Sequence, residues 1–469
     1  MPVFTSLGDG FFDRVEAARF PRHTLRFRNQ RWADRVGLGE LSDLDWERHF
    51  GRFEPLPDNL SGPLALRYHG HQFRSYNPDL GDGRGFLYAQ LCDGDGRLLD
   101  LATKGSGTTP WSRGGDGRLT LKGGVREVLA TEQLEALGVY TSKSFSLFET
   151  GEELYRGDEP SPTRSSVLVR LGHSHVRFGS FQRHAAAGDG ERIRRLLDFS
   201  VEHYMPDLVD CTGEEKVERF LTRVCANSAA LAAGWMAAGF VHGVLNTDNM
   251  NVTGESFDYG PYRFLPSLDP EFTAAYFDHS GLYAYGRQPE TVAWNLERLA
   301  ETLTLICEIE PLRRALGSFR AAFADAYRDR MLDRLGVLPR ESELDRELID
   351  NVAAFLHSSR VGFDQFFFDW YGGRASGERA ARSPQAEQYS GDSFDRMFRL
   401  LSGYEASRPE RLRLPYFAAE RPCSLLIDEI EAIWEPIAER DDWSAFHAKL
   451  AQIAEMRDAL AASRRDVRD

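Results

Sequence analysis

The sequence contains little cysteine and has no excess of positive charge. Only five of its 469 residues are cysteine, and no two of them form a Cys-x-x-Cys pair, which argues against zinc and redox motifs of that kind. Acidic residues number 72 against 57 basic ones, and the net charge of −15 disfavours binding to a nucleic-acid backbone. Scattered thiols are typical of a reducing compartment, so we expect a cytoplasmic protein.

Long apolar segments are also missing. No apolar run approaches the length of a membrane-spanning helix, and the first 20 residues lack the basic head and apolar core of a signal peptide. We therefore expect neither a membrane nor a nucleic acid among the partners. A hydrophobic content of 42% is ordinary for a globular protein, and 469 residues predict two lobes with extensions rather than one small core.

Glycine is concentrated in one stretch. The segment KGSGTTPWSRGGDGRLTLKGGVRE, residues 104–127, carries seven glycines interleaved with charged side chains. Glycine loses much conformational entropy on folding, so such a stretch is costly unless the backbone must pass close to something. Backbone N–H groups and cations together form anion sites, and the segment therefore predicts phosphate binding.

Short apolar runs and glycine turns predict that the first part of the chain is rich in sheet. One hairpin is expected to turn at residues 93–96 and to deliver Lys104 at the end of its second strand. A helix with Gly138 as its stop follows, and residues 143–150 and 165–172 read as further strands. This part is therefore predicted to be mostly sheet with one prominent helix.

From about residue 190 the pattern becomes helical. Alanine-rich and amphipathic stretches between residues 214 and 332 predict several helices. The polar, glycine-rich residues 372–393 are expected to form an exposed loop. The last segment reads as helix with a break at Pro436, because proline cannot donate a helical hydrogen bond.

The order of these features is that of a protein kinase: a glycine turn, a lysine, a helix with a glutamate, and then a helical lobe. In HGVLNTDNMNV, Asn249 stands where kinases have a Mg²⁺-binding Asn, and Asp258 of an Asp-Tyr-Gly triplet follows nine residues later. Alone, these two residues fit a cap and a turn equally well. With Lys104 and Glu127 in the same order, they predict a Mg²⁺ site.

One position departs from the kinase pattern. Val244 stands where kinases have the Asp that accepts the substrate's proton, and valine cannot accept one. The nearest carboxylate is Asp248, directly before Asn249. Either catalysis has moved to Asp248 or the protein only binds nucleotide, and these residues alone leave both readings open.

At this point the chain resembles the selenoprotein O / protein adenylyltransferase family, a kinase-fold group without the usual catalytic Asp. The resemblance covers about residues 60–300. It rests on YHGHQF (68–73), LGDGRG (80–85), KGSGTTPWSRGGDGR (104–118), VRE (125–127), VRFGSFQRH (176–184) and HGVLNTDNMNVTGESFDYGPY (242–262). It implies an α+β fold with two kinase-like lobes and a flipped ATP whose α-phosphate lies at the reaction centre. AMP would then pass to Ser, Thr or Tyr hydroxyls of proteins, with release of pyrophosphate.

The resemblance also implies a role for each matching residue. The implied nucleotide-binding residues are Gly81, Gly83, Arg84, Lys104, Asp116, Gly117, Arg170, Arg177 and Asp258. Asp248 would accept the proton, Asn249 and Asp258 would bind Mg²⁺ or Mn²⁺, and Glu127 would pair with Lys104. The implied partners are ATP and proteins with hydroxyl side chains, with self-modification among the reactions.

The expected domains follow from this order. They are an N-terminal extension (1–60), a kinase-like N-lobe (61–185), a kinase-like helical C-lobe (186–370), and a loop with a helical C-terminal extension (371–469). Three other functions stay open. An ordinary kinase is disfavoured by Val244 and the two arginines, and a non-catalytic pseudokinase by the set Asp248, Asn249 and Asp258. A uridylyl donor in place of ATP is not distinguished by sequence.

Overall fold

The structure, a computed structural model, describes residues 2–157 and 159–461; residues 462–469 of the expected C-terminal extension lie outside that range. The N-terminal part is built on a sheet and the rest is helical, as the sequence predicts. The strands are β1 Phe12–Arg14, β2 Thr24–Arg28, β3 Leu64–Leu66, β4 Gly70–Gln72, β5 Ser75–Asn77, β6 Leu87–Cys92, β7 Leu98–Lys104, β8 Leu119–Thr120, β9 Lys143–Leu154, β10 Thr163–Gly172, β11 Phe240–Val241 and β12 Arg263–Phe264.

The helices make up most of the chain after β10. They are α1 Gln30–Arg35, α2 Asp43–Trp46, α3 Leu121–Ala136, α4 Phe178–Ala186, α5 Gly190–Tyr204, α6 Gly213–Ala237, α7 Gln288–Leu303, α8 Ile309–Gly317, α9 Phe319–Leu335, α10 Ser342–Ser359, α11 Phe363–Asp369, α12 Gly377–Ala381, α13 Asp392–Leu401, α14 Ile427–Arg440 and α15 Ser444–Leu460. In the described part of the chain, none of them combines the length and apolar character needed to cross a membrane.

The main sheet is antiparallel, with the strand order β1-β3-β6-β7-β10-β9-β2 and with β8 added beside β10. The predicted hairpin is confirmed: β6 and β7 pair, and the Asp93 carboxylate accepts hydrogen bonds from the backbone of Asp95 and Arg97 in the turn. Strand register places Lys104 opposite Leu168 and Arg170 opposite Ala102. Because alternate residues of a strand share a face, Lys104 and Arg170 project from the same face.

Both faces of this sheet are covered. Helix α3 and the larger helical core pack on the face that carries Leu168. Aromatic residues from the first 60 residues, including Trp46 and Phe50, pack on the other face against Phe145. The same N-terminal residues also provide both edge strands, β1 and β2. The sheet therefore depends on the N-terminal residues for its edges and for one of its coverings.

Helix α3 is fixed at both of its ends. The Thr120 side chain accepts a hydrogen bond from the backbone of Gly123 at the N-terminus, and the predicted stop at Gly138 is confirmed by its positive φ of 76°. Helix α15 packs along α3, where Arg457 forms an ion pair with Glu132. The helix that carries Glu127 is thus held from outside by a segment far along the chain.

Two expectations about the C-terminal part are wrong. Residues 372–393 do not form an open loop; they contain the short helix α12 and single helical turns, with Ser376 and Ala380 buried. Pro436 does not break the last helical segment, because α14 continues through it to Arg440. A proline removes one N–H donor, and the other hydrogen bonds of α14 carry the helix past it. The helix ends instead at Asp441, which has a φ of 53°.

Candidate functional site

The site begins with a buried ion pair between the sheet and helix α3. Lys104 ends β7, and its Nζ donates to Oε1 of Glu127 about two turns into α3. The two side chains are only 7% and 4% exposed. A buried charge without a partner is strongly unfavourable, so each of these side chains requires the other. The glycines next to Lys104 allow the chain to turn directly into the loop that leads to α3.

Three cations converge on the carboxylate of Asp258. Arg170 Nη1 donates to Oδ1, Arg177 Nη1 donates to Oδ2 at 3.0 Å, and Lys104 Nζ lies 3.5 Å from Oδ1. Arg170 reaches this point from strand β10, and Arg177 from the residue that precedes α4. Asp258 itself has a φ of 61°, a conformation that non-glycine residues adopt infrequently and that is often found at functional sites.

The charge state of Asp258 follows from these contacts. Burial alone would raise its pKa, but Arg170, Lys104 and Arg177 outweigh burial and hold the pKa well below its ordinary value. The side chain is 20% exposed, whereas the three cations are more deeply buried. Asp258 is therefore a partly exposed, ionised carboxylate beside three buried cations, a group that we call the cationic pocket, and an ionised carboxylate is a suitable ligand for a divalent cation.

Asp248 is joined to this cluster through Arg177. It belongs to a 3₁₀ turn, Thr247–Asn249, and its backbone carbonyl accepts from Arg177 Nη1 at 2.8 Å. Among the described residues its buried Oδ1 has no hydrogen-bond partner. Burial raises the pKa of Asp248 to about 6, with Arg177 acting in the opposite direction. A buried carboxylate oxygen without a donor is able to accept a proton from an incoming group.

Asn249 is oriented by the residue that replaces the kinase Asp. Its amide Nδ2 donates to the backbone carbonyl of Val244 at 2.8 Å, and no hydrogen bond from a described residue uses its amide oxygen. The oxygens of Asn249 and Asp258 fit a Mg²⁺ ion, which takes few protein ligands together with phosphates and water. Among the described residues, no group of three or more His, Cys, Asp or Glu side chains is placed so that it could hold a metal ion.

The predicted glycine turn and Asp116 are related to the cluster around Asp258 less directly than the residues above. Gly81 and Gly83 pack under Trp111, where a Cβ on Gly81 would lie 2.4 Å from the indole. Arg84 is exposed, and Gly117 has a φ of 69°. The predicted nucleotide-binding carboxylate, Asp116, forms an ion pair with Arg156 at 2.8 Å and takes no part in the ion pairs around Asp258.

Sequence reasoning missed three residues that surround Arg177. Asp82 accepts from Arg177 Nη2 at 3.5 Å, while the rings of Tyr68 and Phe257 each lie 4.7 Å from the guanidinium carbon. Asp82 stands inside LGDGRG and Phe257 directly precedes Asp258, so both lie within quoted motifs. Their positions, beside the glycines of LGDGRG and directly before the Asp-Tyr-Gly triplet, were the sequence features that could have indicated them.

The chain is similar to one family model and to several curated proteins. The family model described as protein adenylyltransferase SelO matches residues 1–454, well beyond the resemblance over residues 60–300. A protein nucleotidyltransferase YdiU of Gloeobacter violaceus is 46% identical over 96% of this chain and 94% of its own length. Relatives of the same name are 44% identical in Trichormus variabilis, over 95% of this chain and 93% of theirs, and 42% identical in a Synechocystis strain, over 95% and 96%.

Proposed function

Because this chain belongs to the SelO family of protein adenylyltransferases, it is a protein nucleotidyltransferase, and we propose how its own residues perform the transfer. AMP passes from ATP to a Ser, Thr or Tyr hydroxyl of a protein, and pyrophosphate leaves. The nucleotide lies flipped in a kinase-like cleft between the sheet-rich and helical lobes. The domain division at residues 60, 185 and 370, and a cytoplasmic location, belong to the same proposal.

One observation carries this proposal: three buried cations meet at Asp258, beside the unpartnered oxygen of Asp248. Arg170, Arg177 and Lys104 are each paired with a carboxylate, so a triphosphate must compete for them. A divalent cation on Asp258 would release the two arginines to the phosphate oxygens. The planar arginine head groups then bind phosphate through paired N–H donors.

Asn249 and Asp258 would hold the metal. When bound there, Mg²⁺ offsets the phosphate charge and polarises the P–O bond under attack, and Mn²⁺ would occupy the same ligands. The two residues lie on neighbouring loops with Asp248 beside Asn249. Phosphate, metal and acceptor hydroxyl are thus brought together by one short segment of the chain.

The chemical step uses Asp248 for the proton. The hydroxyl oxygen of the substrate forms a bond to the α-phosphorus of ATP, and the bond from this phosphorus to the oxygen that bridges to the β-phosphate breaks. Pyrophosphate carries away the electron pair of the broken bond, and the hydroxyl proton passes to Asp248 Oδ1. Arg170 and Arg177 stabilise the charge that develops on the phosphates.

The remaining predicted residues bind the nucleotide away from the reacting bond. We assign Gly81, Gly83 and Arg84 to one loop over the nucleotide, and Asp116 with Gly117 to the other. Trp111 packs between these loops, so they form one unit. Glu127 keeps Lys104 in place without touching the reacting atoms.

The experiment is a comparison of ATP labelled at the α-phosphate with ATP labelled at the γ-phosphate, followed by intact mass of the protein. AMP transfer predicts α-label and an AMP-sized mass increase, with equal amounts of pyrophosphate. A phosphate-sized increase with γ-label would indicate a kinase, and no adduct under any condition would indicate a nucleotide-binding pseudokinase. Parallel reactions with α-labelled UTP determine whether the donor is ATP or UTP.

A further inference from the structure

Three exposed aromatic side chains contact one another and form one surface beside the hairpin that approaches Asp248. Phe73, Phe277 and Tyr276 are 38%, 42% and 79% exposed, and we call them the aromatic surface. Phe73 contacts Phe277 with ring centroids 5.8 Å apart, and Phe277 contacts Tyr276 at 5.1 Å. Single exposed apolar residues are common on proteins, whereas a cluster of them indicates a binding surface.

The aromatic surface is fixed to the loop that carries Asp248. The backbone N–H of Phe73 donates to Asn246 Oδ1 at 3.2 Å and to Tyr283 Oη at 3.1 Å, and Tyr283 Oη donates to the same Asn246 oxygen at 2.7 Å. The backbone of His71 donates to Thr247 Oγ1 at 2.7 Å. A molecule bound to this hairpin is therefore held in register with the residues that immediately precede Asp248.

The hairpin also approaches Asp248 directly. A Cβ added at Gly70, the first residue of β4, would lie 2.7 Å from Asp248 Oδ1. Only glycine lets the strand run this close to the carboxylate. The hairpin that carries Phe73 thus also packs against the oxygen that would accept the proton.

The turn of this hairpin has an unfavourable sequence for its shape. Strands β4 and β5 are joined by two residues, Phe73 and Arg74, with φ values of 49° and 63°. Such turns favour Asn and Gly, since a left-handed conformation is costly for a residue with a large side chain. The turn is therefore less stable than one formed by Asn and Gly, but it exposes a phenyl ring to solvent. Backbone strain of this kind is typical of functional positions.

We propose that the aromatic surface binds the polypeptide segment that carries the acceptor hydroxyl, through an apolar side chain a few residues away from the Ser, Thr or Tyr. This inference rests on the proposed function, because the acceptor is a protein and its hydroxyl must reach Asp248. The polyanionic nucleotide is matched by the buried cations instead, and three aromatic rings match an apolar side chain. Apolar anchors in aromatic surroundings carry much of the affinity of protein interfaces.

The test uses an array of synthetic peptides with one central Ser, Thr or Tyr and a single Leu, Phe, Gly or Asp at each flanking position. The enzyme is incubated with the array and α-labelled ATP. The variants are Phe73→Asn, which places a residue favoured by this turn, and Phe277→Ser. The control is Tyr155→Ser, since Tyr155 is an aromatic residue 74% exposed at the end of β9.

We expect the wild-type enzyme to prefer an apolar flank at one position, and each variant to raise KM for the preferred peptide about tenfold. Self-modification, ATP affinity and the rate with all-glycine flanks should not change. Phe73→Asn should keep or raise the melting temperature, so lost preference cannot be ascribed to unfolding. Tyr155→Ser should behave as wild type.

The failures of the two proposals differ. Self-modification with α-label but no flank preference, or a preference that survives in both variants, would overturn this inference and leave AMP transfer standing. Absence of α-label from the enzyme and from every peptide would overturn the proposed function, and this inference with it. A third outcome is that the wild type binds phospholipid vesicles, Phe73→Asn does not, and the peptide kinetics of the two are the same. This outcome would assign the aromatic surface to a membrane and would also overturn the inference.

Discussion

Asp248→Asn replaces the proposed proton acceptor by an amide of the same size. The substitution keeps the 3₁₀ turn and the backbone carbonyl that binds Arg177, but the amide cannot take up the hydroxyl proton. Asp258 cannot take over, because three cations hold it ionised with a pKa well below the ordinary value. Val244 offers no oxygen in its side chain. The change therefore removes one function from the pocket and leaves the nucleotide contacts in place.

The expected loss is a factor of about 10²–10³ in kcat. Proton transfer by a positioned group contributes about 10²–10⁴ in rate, and transfer at phosphorus falls at the low end because positioning and electrostatics dominate it. This loss corresponds to about 2.7–4 kcal/mol of transition-state stabilisation. Affinity for ATP with Mg²⁺ should stay within about threefold, because Lys104, Arg170 and Arg177 remain. Single-turnover incorporation of α-labelled AMP and calorimetric titration with ATP measure the two quantities.

The matched control is Asp210→Asn, an exposed aspartate in the loop before α6, which should leave both quantities unchanged. The melting temperature of Asp248→Asn should stay near that of the wild type. Transfer of AMP by the folded variant at a rate within tenfold of wild type would refute the reasoning, and the proton would then have to leave by another route. An equal loss of affinity and rate would show that Asp248 serves binding instead.

Three further changes test the rest of the pocket, and a fourth tests the pH dependence of stability. Lys104→Ala should weaken nucleotide binding by about 1.5–3 kcal/mol and should also destabilise the fold, because Glu127 is left buried and unpaired. The double variant Lys104→Met with Glu127→Gln should regain stability in melting curves but should not regain activity. Arg177→Lys should lower kcat/KM about 10–100-fold, since an ammonium group cannot bridge the acceptors that the planar guanidinium contacts, and steady-state kinetics would detect wild-type values. Asp258→Asn should abolish the Mg²⁺ dependence of ATP binding, so a metal titration that matches wild type would exclude it as a ligand. Glu255→Gln tests pH dependence: burial raises the pKa of Glu255 from 4.5 to about 7, so the contribution of Glu255 to stability should fall by about 3 kcal/mol as the pH rises from 4.5 through 7, and urea melts of the variant should lack this part of the slope.

Local signals explain the parts of the fold that the sequence predicted well. The turn at residues 93–96, the strand that ends at Lys104 and the helix that stops at Gly138 each depend on neighbouring residues only. The pairing of Lys104 with Glu127 was implied by the family resemblance, and the structure shows it. Short motifs therefore predicted more of the candidate site than composition or periodicity alone.

Other features depend on packing between distant segments. Pro436 lies within α14 because the surrounding helix packs against the rest of the protein. The residues next to Pro436 in the sequence do not indicate this packing. Asp116 pairs with Arg156, forty residues away, and this pairing is not visible in the motif that contains Asp116. The Phe73 turn is a further case, since its sequence disfavours the shape that its contacts with Tyr283 and Asn246 support.

The ion pair between Glu132 and Arg457 has a consequence for the biosynthesis of the enzyme. Its two residues are 325 positions apart, and a ribosome adds roughly 5–20 residues each second, so α3 is made well before the helix that braces it. Once Asp258 has been added, the nascent chain holds the cations and aspartates of the pocket, but the helix that seats Lys104 still lacks its outer support. The pocket and its brace are therefore complete together only when synthesis has reached the C-terminal helix.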